Sequence, residues 1–165
     1  MDFITHYDSP LGRITLASDG KALVGLWFYG QKYFAGVLDN QYKEQNDLPV
    51  FYDTRRWLDT YFSGKAPDFT PKLCMRAGPF RKRVWEIMLT IPFGRTMTYG
   101  DIARRIAIER DIPTISTQAV GGAVGHNSIS LIIPCHRVIG SSGSLTGYAG
   151  GIDKKLRLLQ LEGAV

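Results

Sequence analysis

The sequence Pro134-Cys135-His136-Arg137-Val138 follows directly after the apolar run Leu131-Ile132-Ile133. We expect this run to be a short buried strand, with the cysteine at its end beside an imidazole. Cysteine attacks as its thiolate, and a neighbouring histidine that takes its proton is a common way to generate one. The alternative is a buried structural cysteine, because cysteine is among the most buried residue types.

The motifs around this cysteine are long and ordered. The stretch Gln118–Asn127 has the sequence QAVGGAVGHN, Gly147–Gly151 has the sequence GYAGG, and Glu162-Gly163 lies on a predicted terminal helix. Together with PCHRV, these motifs closely resemble those of the DNA-repair alkyltransferases that remove alkyl groups from O6 of guanine. The resemblance runs from about Pro79 to the C-terminus. It is weaker upstream, where it depends on Leu26–Tyr33.

Length and composition allow one average domain or two small ones, since the chain has 165 residues and is 44% hydrophobic. No apolar run approaches the roughly 18 residues that span a bilayer. The first residues also lack the pattern of a signal peptide, so we expect a cytoplasmic protein. The two cysteines, Cys74 and Cys135, are too few for a disulfide framework, and we interpret Cys74 as structurally incidental. The cysteines and three histidines show no metal-ligand spacing, so we expect no metal.

Charge is distributed unevenly along the chain. Residues 1–75 contain 8 Lys or Arg against 9 Asp or Glu, a net charge of −1, whereas residues 76–165 contain 12 against 6, a net charge of +6. A positive field is what a phosphate backbone attracts, so nucleic acid is a candidate partner of the second half. A solvated charged face is the alternative interpretation.

The first half is predicted to be a small N-terminal antiparallel-sheet domain over residues 1–75. The turn Asp19-Gly20 between apolar runs is a hairpin signal. Aromatic and apolar residues at helical spacing predict a helix near Val50–Phe62, with Gly64 at its C-terminal stop. The expected strands are Phe3–Tyr7, Arg13–Ser18 and Ala22–Phe28.

The second half, residues 76–165, is predicted to be mainly helical, which makes the whole chain α+β. A linker over residues 70–79 leads into a helix from Pro79 to about Leu89. Thr98 and Asp101 form a capping box that opens a helix through Ile106. Ser116 or Thr117 then caps a short helix to about Val124, and two short helices at this spacing indicate a winged-helix-like helix-turn-helix.

The second helix of this pair has almost no side chains for reading bases. It offers Gln118 and is otherwise small, with adjacent Gly121 and Gly122 that each cost a helix about 1 kcal/mol. Close approach to another molecule and tight packing inside the protein are both compatible with this composition. The resemblance implies that the helix lies in the DNA minor groove, with contacts from Ser116, Thr117, Gln118, Ala119, Gly121 and Gly122.

The resemblance also implies the site and its chemistry. Cys135 would accept the alkyl group once, without a cofactor, and a monomer would act on double-stranded DNA carrying O6-alkylguanine, with O4-alkylthymine as a further lesion. Adjacent side chains on a strand point to opposite faces, so we expect a water between Cys135 and His136. The remaining implied roles are His136 as base, Glu162 as its orienting acid, Tyr99 as donor to the departing guanine, Asn127 as brace of the preceding turn, and Val138, Tyr148 and Ala149 as the base pocket.

The chain departs from the family pattern at two positions. Gln118 stands where an intercalating arginine is common, and Ser128 stands where proline is frequent. Three other functions compete with alkyl transfer. A Cys-His hydrolase would turn over, a binding-only relative would lack the cysteine, and a transcriptional regulator would need base-reading side chains on its second helix.

Overall fold

A computed structural model describes residues 1–145 and 147–165. It contains two compact units, one formed by Met1–Arg76 with Ser128–Ile132 and the other by Ala77–Asn127 with Ile133–Val165. The first unit contains a sheet and the second is mainly helical, so the predicted α+β class is confirmed. Within the described residues, no helix has the length and apolarity to cross a bilayer, and no three His, Cys, Asp or Glu side chains are grouped to hold a metal ion.

The N-terminal unit is built on a four-stranded sheet whose strands, in chain order, are β1 (Asp2–Ser9), β2 (Gly12–Ser18), β3 (Leu23–Phe28) and β4 (Tyr42–Glu44). β1 pairs antiparallel with β2, β2 pairs antiparallel with β3, and β4 pairs parallel with β1. The Asp19 carboxylate accepts the amides of Lys21 and Ala22, which closes the predicted hairpin turn. The order of the strands across the sheet is β3-β2-β1-β4.

Helix α1 (Pro49–Phe62) completes this unit close to its predicted position. Gly64 follows it with φ of +90°, a left-handed conformation that glycine adopts without strain. The predicted apolar face is buried, as is a cluster of Ala17, Val24 and Trp27 against which Cys74 packs. The buried residues of α1 are Val50, Phe51, Thr54, Trp57, Leu58 and Tyr61.

The C-terminal unit has the predicted helix-turn-helix. The Thr98 hydroxyl accepts the Asp101 amide and the Asp101 carboxylate accepts the Thr98 amide, both at 3.0 Å, so the capping box is present. Ser116 caps the second helix by accepting the Ala119 amide. The indole of Trp85 donates to the Ala123 carbonyl and fixes that helix to α2 (Pro79–Met88). The elements are α2 (Pro79–Met88), β5 (Met97–Thr98), α3 (Tyr99–Glu109), α4 (Thr117–Gly125), β6 (Val138–Ile139) and α5 (Ile152–Leu161).

The prediction that Leu131–Ile133 is a strand was wrong. Leu131 has φ of +70°, and the Ile132 amide bonds back to the Ser130 carbonyl at 2.9 Å, so the segment is a tight turn. All three residues are buried. The apolar run therefore reflected burial, which a buried turn and a buried strand share.

The turn before the cysteine belongs with the N-terminal unit. The Leu26 amide donates to the Ser128 carbonyl at 2.8 Å, and the Ser130 amide donates to the Leu26 carbonyl at 3.0 Å. The Ser128 hydroxyl also donates to the Val24 carbonyl, a bond that proline would lack. Strand β3 thus holds the chain a few residues before Cys135.

We predict that Gly25→Ala destabilises the protein by about 1 to 3 kcal/mol, the usual cost of overpacking a core. A Cβ at Gly25 would lie 2.0 Å from Cη2 of buried Trp27. Gly125→Ala is the matched control, because a Cβ there meets nothing within 4 Å. Urea unfolding should give a lower midpoint for Gly25→Ala alone, and equal midpoints would contradict this packing.

Candidate active site

Cys135 opens a one-turn 3₁₀ helix, Cys135–Arg137, here called the cysteine turn. The Val138 amide donates to the Cys135 carbonyl and closes the turn, after which β6 begins. The cysteine is 5% exposed. Successive side chains in a 3₁₀ helix are about 120° apart, so the expectation of opposite faces for Cys135 and His136, which assumed a strand, was wrong.

His136 contacts Glu162, as the sequence predicted for a base and its orienting acid. Nε2 of the ring lies 2.5 Å from Oε2 of the carboxylate, and both side chains are fully buried. Glu162 directly follows the last residue of α5 rather than lying within that helix. An ionised carboxylate only accepts hydrogen bonds, so Nε2 carries the ring proton and Nδ1 keeps its lone pair. This tautomer can act as a base through Nδ1.

Arg137 and Gly94 complete the surroundings of the carboxylate. Arg137 Nε donates to Oε1 at 2.8 Å and its Nη2 donates to Oε2 at 3.2 Å, while the Gly94 amide donates to Oε1 at 3.0 Å. Nη1 of Arg137 is held by the Ile91 carbonyl. Sequence reasoning missed Arg137 and Gly94 as partners of Glu162, although Arg137 lies inside the PCHRV motif and a charged residue beside a buried apolar run was a usable signal.

Charge and burial fix the protonation states of the pair. Burial acts to raise the pKa of Glu162, but hydrogen bonds and charge from His136 and Arg137 outweigh it and lower that pKa to about 2. Burial lowers the pKa of His136 below its ordinary value, and the attraction of Glu162 opposes this only in part. At neutral pH the site therefore combines an ionised carboxylate with a neutral imidazole.

Tyr99 is brought beside the cysteine turn by a two-stranded pairing. Met97 of β5 pairs with Val138 of β6, and Tyr99 follows as the first residue of α3. Burial raises the pKa of Tyr99, and the negative charge of a Cys135 thiolate raises it further. The phenol is therefore protonated at neutral pH and can donate a proton or hydrogen bond.

Lys155 is a residue of this site that the sequence analysis missed. It is fully buried, and its Nζ donates to the Val138 carbonyl at 2.6 Å and lies 6.0 Å from the Tyr99 ring centroid. The available signal was its position three and four residues before the buried Leu158 and Leu159, on the apolar face of α5. A lysine on the buried apolar face of a helix has an ammonium group that needs a polar partner inside the protein.

The remaining predicted residues of the cysteine region are placed as follows. Nδ2 of buried Asn127 donates to the Ile133 carbonyl at 2.8 Å, across the turn that leads to the cysteine. Tyr148 is buried and Ala149 is half-buried. Gly147 approaches Tyr99 so closely that a Cβ would lie 3.4 Å from the phenol oxygen, and its φ is +71°.

The predicted DNA-contacting residues lie in α4 or at its N-cap, and all of them are at least partly exposed. Ser116, Thr117, Gln118, Ala119 and Gly122 are exposed, and Gly121 is half-buried. A Cβ at Gly121, Gly122 or Gly125 would meet nothing within 4 Å, so packing within the described residues does not require these glycines. The interpretation as tight internal packing is therefore contradicted.

A cavity of about 500 Å³ connects α4 with Tyr99. Gln118 and Gly121 of α4 lie on one side and Tyr99 on another, so two groups of predicted residues share it. Such a volume is in the range of small-ligand sites. The full lining is Tyr99, Gly100, Thr117, Gln118, Gly121, Ser141 and Gly147.

Two family models match nearly the whole chain. Residues 79–164 match the 6-O-methylguanine DNA methyltransferase, DNA binding domain. Residues 3–74 match the 6-O-methylguanine DNA methyltransferase, ribonuclease-like domain. The resemblance to this family found in the sequence is confirmed in the second half, and the weaker likeness in the first half is confirmed with it.

Individual relatives agree with this match. The methylated-DNA–protein-cysteine methyltransferase of Mycobacterium tuberculosis is 42% identical over 160 residues, which cover 95% of this chain and 92% of the relative. The protein of the same name from Methanosarcina mazei is 43% identical over 154 residues, covering 93% and 92%. A crystal structure of M. tuberculosis OGT in complex with DNA superposes with a TM-score of 0.83 at 40% identity, covering 98% and 93%. By sequence over both halves and by fold, the chain belongs to the 6-O-methylguanine DNA methyltransferase family.

Proposed function

We propose that this protein repairs DNA by moving the alkyl group of O6-alkylguanine directly to Cys135. The Cys135 thiolate forms the new carbon–sulfur bond as the carbon–oxygen bond to guanine breaks. The bonding electrons leave with guanine, which takes up one proton. The product is a thioether that no group in the site hydrolyses, so each chain acts once.

The observation that carries this proposal is the buried His136–Glu162 pair next to Cys135 in a chain of this family. A neutral imidazole held by an ionised carboxylate accepts the thiol proton, directly or through a water. Glu162 then stabilises the imidazolium that forms. The pair thus supplies the nucleophile without consuming a cofactor.

Residues 76–165 are proposed to bind double-stranded DNA through α4, with residues 1–75 as a supporting domain and the protein acting as a monomer. The net charge of +6 in this half favours phosphate contacts. The open space beside Gly121 and Gly122 lets DNA approach the helix backbone in the minor groove. Contacts of this kind are independent of sequence, which suits a lesion that can occur anywhere.

The damaged nucleotide is proposed to leave the duplex and enter the site, because a thiol within a folded protein cannot reach a stacked base. Val138, Tyr148 and Ala149 form the base pocket in this proposal, and Tyr99, protonated at neutral pH, donates to the departing guanine. Asn127 braces the turn before the cysteine. O4-alkylthymine is a second candidate lesion, since its alkyl group is also bonded to an exocyclic oxygen of the base.

The direct test is the mass of the intact protein after incubation with a duplex carrying O6-methylguanine. We expect one added methyl group per chain, on Cys135 and not on Cys74, and no addition to Cys135→Ser. Cys135→Ser should still bind the duplex, because phosphate contacts supply most of the affinity. Repeated product release by one chain would contradict single transfer and favour a Cys-His hydrolase.

The relay predicts that His136→Ala and Glu162→Gln slow transfer at neutral pH and move the pH–rate midpoint upward. In the parent protein the low pKa of His136 keeps a base available at neutral pH, and activity falls only when acid protonates it. Without that base, Cys135 ionises as an ordinary thiol, with a pKa of about 8.5. Single-turnover rates between pH 5 and 10 measure the shift, and unchanged profiles in both variants would exclude the relay.

Gln118→Arg is predicted to speed repair of O6-methylguanine in duplex DNA. Extruding a paired base costs a few kcal/mol, and a planar charged guanidinium inserted into the stack offsets more of that cost than glutamine does. Reaction with free O6-benzylguanine, which needs no extrusion, should stay the same. Gln160→Arg, exposed on α5, is the control for added charge. Equal acceleration of both substrates, or by both variants, would contradict insertion at position 118.

A further inference from the structure

The C-terminal unit has a second cavity, here called the α3 cavity, with a volume of about 170 Å³. Residues of helix α3 and of the segment that leads into α4 line it. Alkyl transfer as proposed above gives this cavity no role. Its lining combines small and apolar side chains with a cation and hydroxyl groups, and it includes Gly100, Ala103, Arg104, Ala107, Ile115 and Thr117.

The α3 cavity adjoins the larger cavity that Tyr99 and Gln118 line. Gly100 and Thr117 line both cavities, and Thr117 is the first residue of α4. A DNA strand that lies along α4, with one nucleotide extruded beside Gln118, therefore passes the α3 cavity within its next few sugar–phosphate units.

Arg104 is the charged group at the α3 cavity. Its side chain is 71% exposed, and Nη2 forms an ion pair with the carboxylate of Asp101, three residues earlier. Nη1 lies 3.4 Å from the position that a Cβ on Gly100 would occupy, so the guanidinium lies against the residue that both cavities share. Asp101 thus fixes the direction in which the arginine points.

The ion pair does not use up the binding capacity of Arg104. The Asp101 carboxylate accepts the Thr98 amide at 3.0 Å, and this hydrogen bond lowers the pKa of Asp101 more than Arg104 does. The carboxylate is therefore balanced mainly by the helix cap. Among the described residues Asp101 engages only Nη2, which leaves Nε and Nη1 as donors for an anion from outside the protein.

We propose that the α3 cavity holds one sugar–phosphate unit of the damaged DNA strand, with Arg104 as the phosphate ligand. A guanidinium matches phosphate through paired N–H groups. The Thr117 hydroxyl can donate to the same phosphate, while Ala103 and Ala107 give the deoxyribose an apolar wall. The net charge of +6 in this half of the chain favours the same partner.

This inference rests on the proposed function, because it takes the DNA strand to lie along α4. It adds a contact that fixes the backbone near the nucleotide that leaves the stack. Phosphate contacts set the position of a protein on DNA without reading its sequence. The grip therefore suits a lesion in any sequence context.

The test measures binding to a duplex carrying O6-methylguanine in a Cys135→Ser background, where no transfer occurs. Adding Arg104→Met should weaken binding about tenfold, the lower end for a hydrogen bond to a charged group. The slope of log affinity against log salt concentration should become shallower by about 0.9, the value for one phosphate. Arg104→Lys should keep the slope but lose part of the affinity, since an ammonium group cannot bind phosphate through a planar fork.

Arg105→Met is the matched control. Arg105 is the next residue of α3, has the same charge, pairs with Glu109 and is not among the residues that line the α3 cavity. Its affinity and salt slope should stay those of the background protein. Equal losses in Arg104→Met and Arg105→Met would overturn the proposal, because they would reflect the general positive field. Unchanged binding in Arg104→Met with a normal urea midpoint would overturn it too.

Neutral methylphosphonate linkages locate the phosphate. One linkage at a time is replaced on the damaged strand, on either side of the lesion. One replacement should weaken binding by the background protein and by Arg105→Met, yet have no further effect on Arg104→Met, because losses from two groups that bind each other are not additive. If every replacement weakens all three proteins equally, Arg104 does not bind a phosphate of this strand.

These results are distinguishable from failure of the proposed function. If Arg104→Met shows the expected affinity and slope but no methyl group reaches Cys135 in the parent protein, the phosphate site stands and the repair reaction does not. If the methyl group is transferred and Arg104→Met binds like the background protein, the repair reaction stands and the α3 cavity is not part of the DNA interface.

Discussion

The ionised carboxylate of Glu162 is the group on which the rest of the site depends. It accepts hydrogen bonds from the His136 ring, the Arg137 guanidinium and the Gly94 amide, and all of these partners are arranged around a fully buried side chain. A buried carboxylate without such partners costs several kcal/mol. Because Gly94 follows α2, His136 lies in the cysteine turn and Glu162 caps the end of α5, the His136–Glu162 pair forms only when these three segments pack together.

The C-terminal unit has two functional regions with opposite requirements. The cysteine turn needs a dry, charge-balanced interior, where burial keeps His136 neutral while hydrogen bonds and charge from His136 and Arg137 keep Glu162 ionised. The α4 face needs exposed backbone, and its adjacent glycines cost the helix about 1 kcal/mol each without any packing need for them. Residues that destabilise a helix without improving its packing are typical of a functional surface. The pairing of β5 with β6 joins the two regions, because Tyr99 follows β5 and lines the cavity shared with α4.

Sequence patterns predicted the elements whose causes are local. The Asp19-Gly20 turn, the Thr98–Asp101 capping box and the Ser116 cap each satisfy nearby backbone groups, so their residues are informative alone. Strand β4 was missed because Tyr42–Glu44 is short, exposed and polar, and it exists through pairing with β1. Leu131–Ile133 was assigned as a strand because burial imposes the same apolar composition on a turn.

The residues of the candidate site likewise divide into those that a local pattern predicts and those that depend on tertiary packing. The PCHRV motif singled out Cys135 and His136, and the order of the motifs along the chain singled out Glu162. The structure places His136 in contact with Glu162. Arg137, Gly94 and Lys155 were missed because their partners are distant in sequence. The Gly94 amide reaches Glu162, and Lys155 reaches the Val138 carbonyl, only because of the way α5 packs. No local sequence pattern encodes that packing.

We propose that Glu162 holds His136 as a neutral base with the ring proton on Nε2 and a lone pair on Nδ1. Nitrogen-15 NMR of the ring measures this directly in the unreacted protein. We predict the neutral Nε2–H form from pH 6 to 8, with the carboxyl carbon of Glu162 showing an ionised group throughout. A doubly protonated ring at pH 7, or a neutral ring protonated at Nδ1, would contradict it.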